Sequence, residues 1–77
     1  MIDWNKHIES HPDIVFGKPV VVNTRISVDL ILEKLGAGDS VEDLIDAYPN
    51  LTKDDIYACL LFAAEAIKNE IHLSKVS

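Results

Sequence analysis

The sequence predicts a mainly α-helical fold: a three-helix, helix-turn-helix-like domain of the winged-helix or homeodomain-like kind, preceded by a short N-terminal β-hairpin. Short β-branched and aromatic runs surround a Gly-Lys-Pro turn near the N-terminus, a pattern typical of a hairpin. Three later segments each follow a helix-capping residue and repeat apolar side chains at helical spacing. We therefore expect one domain over residues 1–77, with a β-rich part (1–26) and a three-helix part (27–72).

The small size of the chain predicts that it associates with a second copy. A chain of 77 residues buries only about 60% of the surface that its unfolded form exposes. Domains of this size commonly depend on disulfides, a metal or a second subunit for their stability. The single cysteine, Cys59, has no partner for a disulfide within the chain, which favours a homodimer.

The charge of the chain is acidic and unevenly placed. Thirteen acidic and seven basic residues give a formal net charge of −6. Residues 1–28 are balanced, whereas residues 29–77 contain ten acids and four lysines. Non-specific adhesion to nucleic acid or to an anionic membrane needs positive charge. The sequence thus favours protein partners for the helical part.

No segment has the pattern of a signal peptide or of a membrane span. The N-terminal residues lack a charged region followed by an apolar one. The longest apolar run, residues 56–64, is too short to cross a bilayer. We expect a cytoplasmic protein, since the lone cysteine lies in that run. The 48% apolar composition argues against disorder.

Residues 14–16 and 20–22 are the predicted strands of the hairpin. Each run is β-branched or aromatic, and residues 17–19 form a turn between them. Pro19 cannot donate to a strand ladder, so it must lie at the start of a strand or on a free edge. Two short strands are not stable alone, so they must pack against other structure.

Capping residues define the first two helices. Ser27 opens the first helix, and residues 36–38 (Gly-Ala-Gly) end it. Ser40 opens the second helix, Asp43 completes a capping box, and Pro49 ends the helix. The residues expected on the inner faces are Val28, Ile31, Leu32 and Leu35 in the first helix, and Val41, Leu44, Ile45 and Tyr48 in the second.

The third helix has more apolar surface than its neighbours can cover. Thr52 caps it with Asp55 three residues on, and residues 56–64 are apolar on every side. The expected inner stripe is Ile56, Leu60, Ala63, Ala64, Ile67 and Ile71. The remaining apolar side chains, Tyr57, Leu61 and Phe62, are the predicted dimer interface. The alternative is that the hairpin covers that face within one monomer.

The sequence contains no set of residues that we expect to catalyse a reaction. His7 and His11 are four residues apart, but the adjoining proline excludes the helix that such a metal pair needs. The acid pairs at 42–43 and 54–55 lie in the first turns of predicted helices, where the helix dipole accounts for them. Cys59 lies among leucines with no neighbouring base. We expect neither an enzyme nor a metal or other cofactor.

The second and third helices have the outline of a helix-turn-helix. In DNA-binding versions the start of the last helix enters the major groove, but here residues 52–55 contain two carboxylates and one lysine. Repulsion by phosphates makes this a poor recognition helix. Contacts with DNA or another partner are expected instead from Lys6, Lys18 and Arg25. Arg25 has the alternative role of anchoring the junction between strand and helix.

Three motifs in order resemble a known family. They are Gly-Lys-Pro-Val at 17–20, Thr-Arg-Ile-Ser-Val at 24–28 and Tyr-Pro-Asn-Leu-Thr at 48–52. The chain resembles the domain-of-unknown-function 433 family, small bacterial proteins regarded as antitoxin-like. That family has a GGKP-like turn, a GTRIPV-like junction and a YP-x-LT turn into an Ala-rich helix. The resemblance covers about residues 8–67.

Three positions depart from the family pattern. Phe16 replaces the first glycine of the turn, Asn23 replaces the glycine before Thr-Arg-Ile, and Ser27 replaces the proline. Asn tolerates a positive φ, so the backbone turn at that position can survive. Ser27 caps the helix instead of stiffening its start. We expect the fold to tolerate all three changes, and a binding surface built there to be more sensitive to them.

The resemblance implies a helix-turn-helix-like fold and a partner toxin, a nuclease of PIN-like fold encoded alongside. It also implies transcriptional autoregulation. We expect a dimeric, antitoxin-like module that binds and neutralises this nuclease, because acidic charge suits a partner that binds RNA and is therefore basic. The alternatives are a helix-turn-helix DNA-binding regulator and a non-catalytic interaction module.

Overall fold

A computed structural model of the chain describes residues 1–70 and confirms the predicted class, since three helices follow a two-stranded antiparallel hairpin. The elements, in chain order, are a 3-10 turn (Trp4–Lys6), β1 (Ile8–Glu9), β2 (Val20–Val21), α1 (Val28–Gly36), α2 (Val41–Ala47) and α3 (Lys53–Glu70). Within residues 1–70, no helix combines the length and the apolar composition that a membrane crossing needs.

The hairpin is short but buried. In its antiparallel register Ile8 lies opposite Val21, and the side chains of Ile8, Val20 and Val21 are all buried. A single bridge between Val20 and Ser27 joins β2 to the residue that precedes α1. The hairpin therefore packs against the helices, as the instability of an isolated two-stranded ribbon requires.

The first predicted strand, residues 14–16, is wrong. Val15, Phe16 and Gly17 take positive φ angles of 49°, 55° and 77°, and they form a left-handed turn in which two N–H groups donate to carbonyls three residues back. The Ser10 hydroxyl donates to the Gly17 carbonyl and closes the loop. The partner of β2 is β1 instead, a two-residue strand that is too short to show a period-two pattern.

The predicted caps of the second and third helices are confirmed. In α2 the Asp43 N–H donates to Ser40 Oγ at 3.0 Å, and the Ser40 N–H donates to Asp43 Oδ2 at 2.9 Å. The same box joins Thr52 and Asp55 at 3.1 and 3.0 Å in α3. Ser27 occupies the N-cap of α1, but its side chain makes no capping hydrogen bond. The bonds from Ser40 hold the pKa of Asp43 below its usual value of 3.8.

One core joins the hairpin to all three helices. Its members come from every element after the 3-10 turn and from the loop before α3. They are Ile8, Val20, Val21, Val28, Ile31, Leu44, Leu51, Ile56, Ala58 and Cys59. No charged or polar side chain within residues 1–69 is buried among them, so hydrophobic burial is the main source of their stabilisation.

The predicted inner stripe of α3 is partly wrong. Of its members Ile56 is buried, but Ala64 is exposed, and Leu60 and Ile67 are 45% and 56% exposed. Because the helix is apolar on every side over one long run, spacing alone does not fix which face turns inward. Contacts with the N-terminal segment decide it. Residues 71–72, where the predicted stripe and the predicted helical part end, lie outside the described residues.

Ser40→Ala is expected to lower the free energy of unfolding by about 1 kcal/mol, because it removes the acceptor for the Asp43 N–H. Ser27→Ala is the matched control, since Ser27 also occupies an N-cap but makes no capping hydrogen bond; we expect a change below about 0.5 kcal/mol. Urea unfolding followed by circular dichroism measures both values. Equal losses in the two variants would contradict this difference between the caps.

Candidate functional site

One carboxylate joins the N-terminal segment to the start of α3. Asp55 Oδ1 lies 2.9 Å from His7 Nδ1, while Asp55 Oδ2 accepts from the Thr52 N–H at 3.0 Å. An ionised carboxylate can only accept, so we place the proton on His7 Nδ1. The two paired side chains are 26% and 15% exposed, so water is partly excluded from this bond.

A polar cleft of about 450 Å³ lies beside this pair. The 3-10 turn, the residues after β2 and the loop between α2 and α3 all contribute to it. The residues after β2 are fixed by Thr24, whose hydroxyl donates to the Val21 carbonyl at 2.7 Å and accepts from the Ile26 N–H at 3.0 Å. The polar residues that line the cleft are Lys6, His7, Asn23, Thr24, Asn50 and Asp55.

The three predicted contact cations do not form one patch. Lys6 lines the polar cleft, whereas Lys18 borders a separate apolar groove. The Lys18 ammonium lies 3.2 Å from a carboxylate oxygen of Asp29; the Ser27 hydroxyl and then Lys18 hold the pKa of Asp29 below 3.8. Arg25 is exposed and forms no ion pair within residues 1–70. Only Lys6 therefore lies in a polar cavity.

The apolar groove has a volume of about 460 Å³ and lies between α1 and the C-terminal half of α3. Lys18 and Asp29 border it, and its apolar lining is formed by Pro19, Val28, Leu32, Phe62, Ala66 and Ile67. Phe62 also contacts Trp4 in an edge-to-face arrangement, with ring centroids 5.0 Å apart and planes at 76°. This is a favourable geometry for two aromatic rings, and it fixes one wall of the groove.

The outer face of α3 exposes a stripe of apolar side chains, here called the outer stripe. Its members are Tyr57, Leu60, Ala64 and Ile67, all exposed. They follow the i, i+3, i+7, i+10 spacing of the seam of a coiled coil. The stripe adjoins the buried face that carries Ile56 and Cys59, but its own side chains stay exposed.

The three predicted dimer residues lie on different sides of α3. Tyr57 is 42% exposed in the outer stripe, and Leu61 is half-buried beside it. Phe62 is half-buried and packs toward Trp4. The 3-10 turn, and not the hairpin of the stated alternative, thus contacts Phe62 within one monomer. The homodimer itself stays a prediction.

Phe16 is the most exposed aromatic side chain within residues 1–70, at 98%. It lies in the left-handed turn, where its φ of 55° is costly for a residue with a Cβ. Lys18 and Pro19, which border the apolar groove, follow two and three residues later. The turn therefore presents an apolar side chain from the same segment of chain that forms one edge of the groove.

Sequence reasoning missed the polar cleft. His7 and Asp55 are 48 residues apart, and neither has a local pattern that indicates the other. Asn50 lies in a turn, where asparagine is common for reasons of backbone conformation, so its presence does not indicate a binding site. Asn23 has a φ of 65°, which asparagine tolerates, so its presence does not indicate a binding site either. The one usable signal is Asp55 at the third position of α3, because a carboxylate that caps a helix with one oxygen can bind a second partner with the other.

Comparisons with known proteins agree on the family. The model of the family described as "Protein of unknown function (DUF433)" matches residues 8–63. The chain is similar to the uncharacterised protein y4eO of Sinorhizobium fredii, with 38% identity over 56 residues. The match covers 73% of this chain but only 25% of the length of that relative. A crystal structure of a DUF433 member protein from Anabaena variabilis is similar with a TM-score of 0.77 and 25% identity, over 82% of this chain and 62% of that one.

Cys59 belongs to the core rather than to any of these surfaces. Its side chain is fully buried. Burial, and secondarily the negative charge of Asp55, raises the pKa of the thiol to about 12. At neutral pH it is therefore a neutral, apolar side chain, and only the thiolate is a strong nucleophile.

We expect Cys59 in the native protein to resist alkylation by iodoacetamide at pH 8, because the thiol is both buried and protonated. Unfolding in urea removes both obstacles, and alkylation then proceeds at the rate of an ordinary cysteine. Intact-mass spectrometry of timed samples with and without urea measures the two rates. Equal rates in the two samples would contradict the placement of Cys59 in the core.

Proposed function

Because the chain belongs to the DUF433 family of unknown function, we propose the role that its sequence resemblance implies: it is an antitoxin-like protein that binds and neutralises a nuclease of PIN-like fold. It acts in the cytoplasm as a homodimer, without catalytic activity or a cofactor of its own. The observation that carries this proposal is the apolar groove between α1 and α3. A groove of this kind accommodates the apolar face of a helix from another protein.

The groove has properties that suit a protein partner. Its lining is almost wholly apolar, and Ile67 at its edge is 56% exposed. Two helices form its walls, which holds the contact residues more rigidly than loops would. Its one pair of charges, Lys18 and Asp29, is mutually neutralised at the rim. Burial of these apolar side chains by a partner would supply affinity.

The charge of the molecule supports a basic partner. Exposed acids follow the chain from the end of α1 to the start of α3, namely Asp39, Glu42, Asp43, Asp46 and Asp54. A nuclease that binds RNA presents basic residues at its substrate site. Complementary charge accelerates association and disfavours wrong partners. A molecule with an acidic surface and an apolar groove therefore fits a protein that occupies the RNA site of such an enzyme.

The outer stripe supports the homodimer. Coiled-coil spacing places Tyr57, Leu60, Ala64 and Ile67 where a second copy of α3 can pack against them. Leu61 flanks the stripe and would become more buried in the pair. The small Ala64 in the middle allows the two helix backbones to approach closely. The stripe and the groove share Ile67 at their common edge, whereas Phe62 and Ala66 line the groove alone, so we expect a dimer to leave the part of the groove between these residues and α1 accessible.

The alternative function is DNA-binding regulation, with autoregulation of the operon as its simplest form. The exposed Lys6 and Arg25 in the N-terminal part favour it. The start of α3 opposes the usual helix-turn-helix mode, because Asp54 is exposed there and Asp55 is engaged by His7. A non-catalytic interaction module of another kind would share the apolar groove but not the nuclease.

Co-expression of the tagged chain with the nuclease encoded next to it is expected to yield a complex that co-purifies. Ala66→Glu places a carboxylate in the apolar groove, where burial of an unpaired charge is costly. We expect it to reduce the retained nuclease by about tenfold or more. Failure of any neighbour-encoded nuclease to co-purify with the unmodified chain would remove the proposal.

Ala64→Glu is the matched control, because it makes the same substitution on the same helix but in the outer stripe. It is expected to retain the nuclease and to lose self-association. Light scattering at tens of micromolar measures the second effect: the unmodified chain and Ala66→Glu are expected at roughly twice the 8.6 kDa monomer mass, and Ala64→Glu at the monomer mass. A monomeric unmodified chain would refute the dimer, whatever the nuclease does.

A further inference from the structure

The carboxylate and hydroxyl acceptors of the polar cleft are engaged within the chain. One oxygen of Asp55 pairs with His7 and the other accepts from the Thr52 N–H. The Thr24 hydroxyl accepts from one backbone N–H and donates to a backbone carbonyl. A ligand that enters the cleft therefore meets acceptors that already have partners.

The donors of the cleft are not engaged in this way. Within residues 1–70, the side chains of Lys6, Asn23 and Asn50 make no hydrogen bond to the protein. A lysine ammonium offers three donors and no acceptor, and each amide group offers two donors. These donors come from three separate segments and line one cavity. They match a ligand that carries several acceptor oxygens.

Two cations lie in or beside the cleft. Lys6 lies in the cleft, and the exposed Arg25 follows one of its lining residues. The acids beside Lys6 are Asp3, at the start of the same turn, and Asp55, which shares the cleft. Asp3 accepts two hydrogen bonds from Asn5 at 3.1 Å, and Asp55 has a partner on each oxygen. Both carboxylates therefore accept hydrogen bonds within the chain, whereas the ammonium of Lys6 makes none to the described residues.

From these observations we propose that the polar cleft binds a phosphate group, which accepts hydrogen bonds from Lys6, Asn23 and Asn50. Phosphate presents several charged acceptor oxygens at once, and hydrogen bonds to a charged group are stronger than neutral ones. A metal cation would meet only the uncharged amide oxygens of Asn23 and Asn50 as acceptors without a partner, because each oxygen of Asp55 already has one. The volume of about 450 Å³ lies within the range of small-molecule sites, so the cleft admits a nucleotide-sized group.

Two sources supply this chemistry: the backbone of a nucleic acid, or a free phosphate or phosphate monoester. The cleft and the apolar groove are separate cavities with no lining residue in common. The phosphate site therefore does not rest on the proposed nuclease partner. If phosphate binding is lost, nuclease binding can still be measured, and the reverse also holds.

Two-dimensional NMR of the ¹⁵N-labelled chain tests the proposal, with inorganic phosphate, adenosine 5′-monophosphate and a short single-stranded DNA as probes. The side-chain amide signals of Asn23 and Asn50 are expected to shift with a phosphate-bearing probe, and not with sodium chloride at equal ionic strength. Shifts with DNA at the lowest concentration identify a nucleic-acid backbone as the source. Shifts confined to the two small probes identify a free phosphate. No shift of these signals with any probe overturns the proposal.

Lys6→Gln and Lys18→Gln separate a site from general attraction, because both remove one exposed lysine charge. Lys6→Gln is expected to weaken binding of the best probe by about tenfold, through loss of a charged hydrogen bond. Lys18→Gln, at the border of the apolar groove, is expected to weaken it less than about twofold, since salt screens a distant charge. Equal weakening by the two changes would overturn the proposal.

Discussion

The carboxylate of Asp55 is shared between two tasks, and the arrangement of the described residues depends on it. Through Thr52 it caps α3, and through His7 it holds the N-terminal segment against the start of that helix. His7 directly precedes β1, and Trp4, three residues earlier, packs on Phe62. The carboxylate of Asp55 therefore helps to position the hairpin, the wall of the apolar groove and the polar cleft. In so small a chain, such double use replaces the larger core that would otherwise fix these segments.

α3 carries the other constraint, because it has more apolar surface than one small chain covers. Its inner face forms the core with Ile56 and Cys59, and its C-terminal half lines the groove with Ala66. The outer stripe faces solvent. Exposed apolar surface of this extent is the usual property of a protein that binds other proteins. In the proposed function, the acidic charge of the helical part favours partners with basic surfaces.

The features that the sequence predicts correctly are those with local signals. Ser40 with Asp43, and Thr52 with Asp55, form capping boxes because each pair lies within one helical turn. The strand expected at 14–16 has high β-propensity, but closure of the loop onto Ser10 forces a left-handed turn. Two features depend on tertiary contacts, which no local pattern encodes. One is the choice of the α3 face that turns inward, and the other is the pairing of His7 with Asp55, 48 residues away.

The central role of Asp55 is tested most directly by a double-mutant cycle on His7→Ala and Asp55→Asn, with the free energy of unfolding as the measured quantity. Asn keeps an oxygen that can accept from the Thr52 N–H, so the cap persists and the cycle isolates the contact with His7. The fluorescence of the single tryptophan, Trp4, follows unfolding of the docked N-terminal segment. We expect a coupling of about 1 kcal/mol or more between the two changes. Additive effects, with no coupling, would contradict the view that this carboxylate fixes the N-terminal segment on α3.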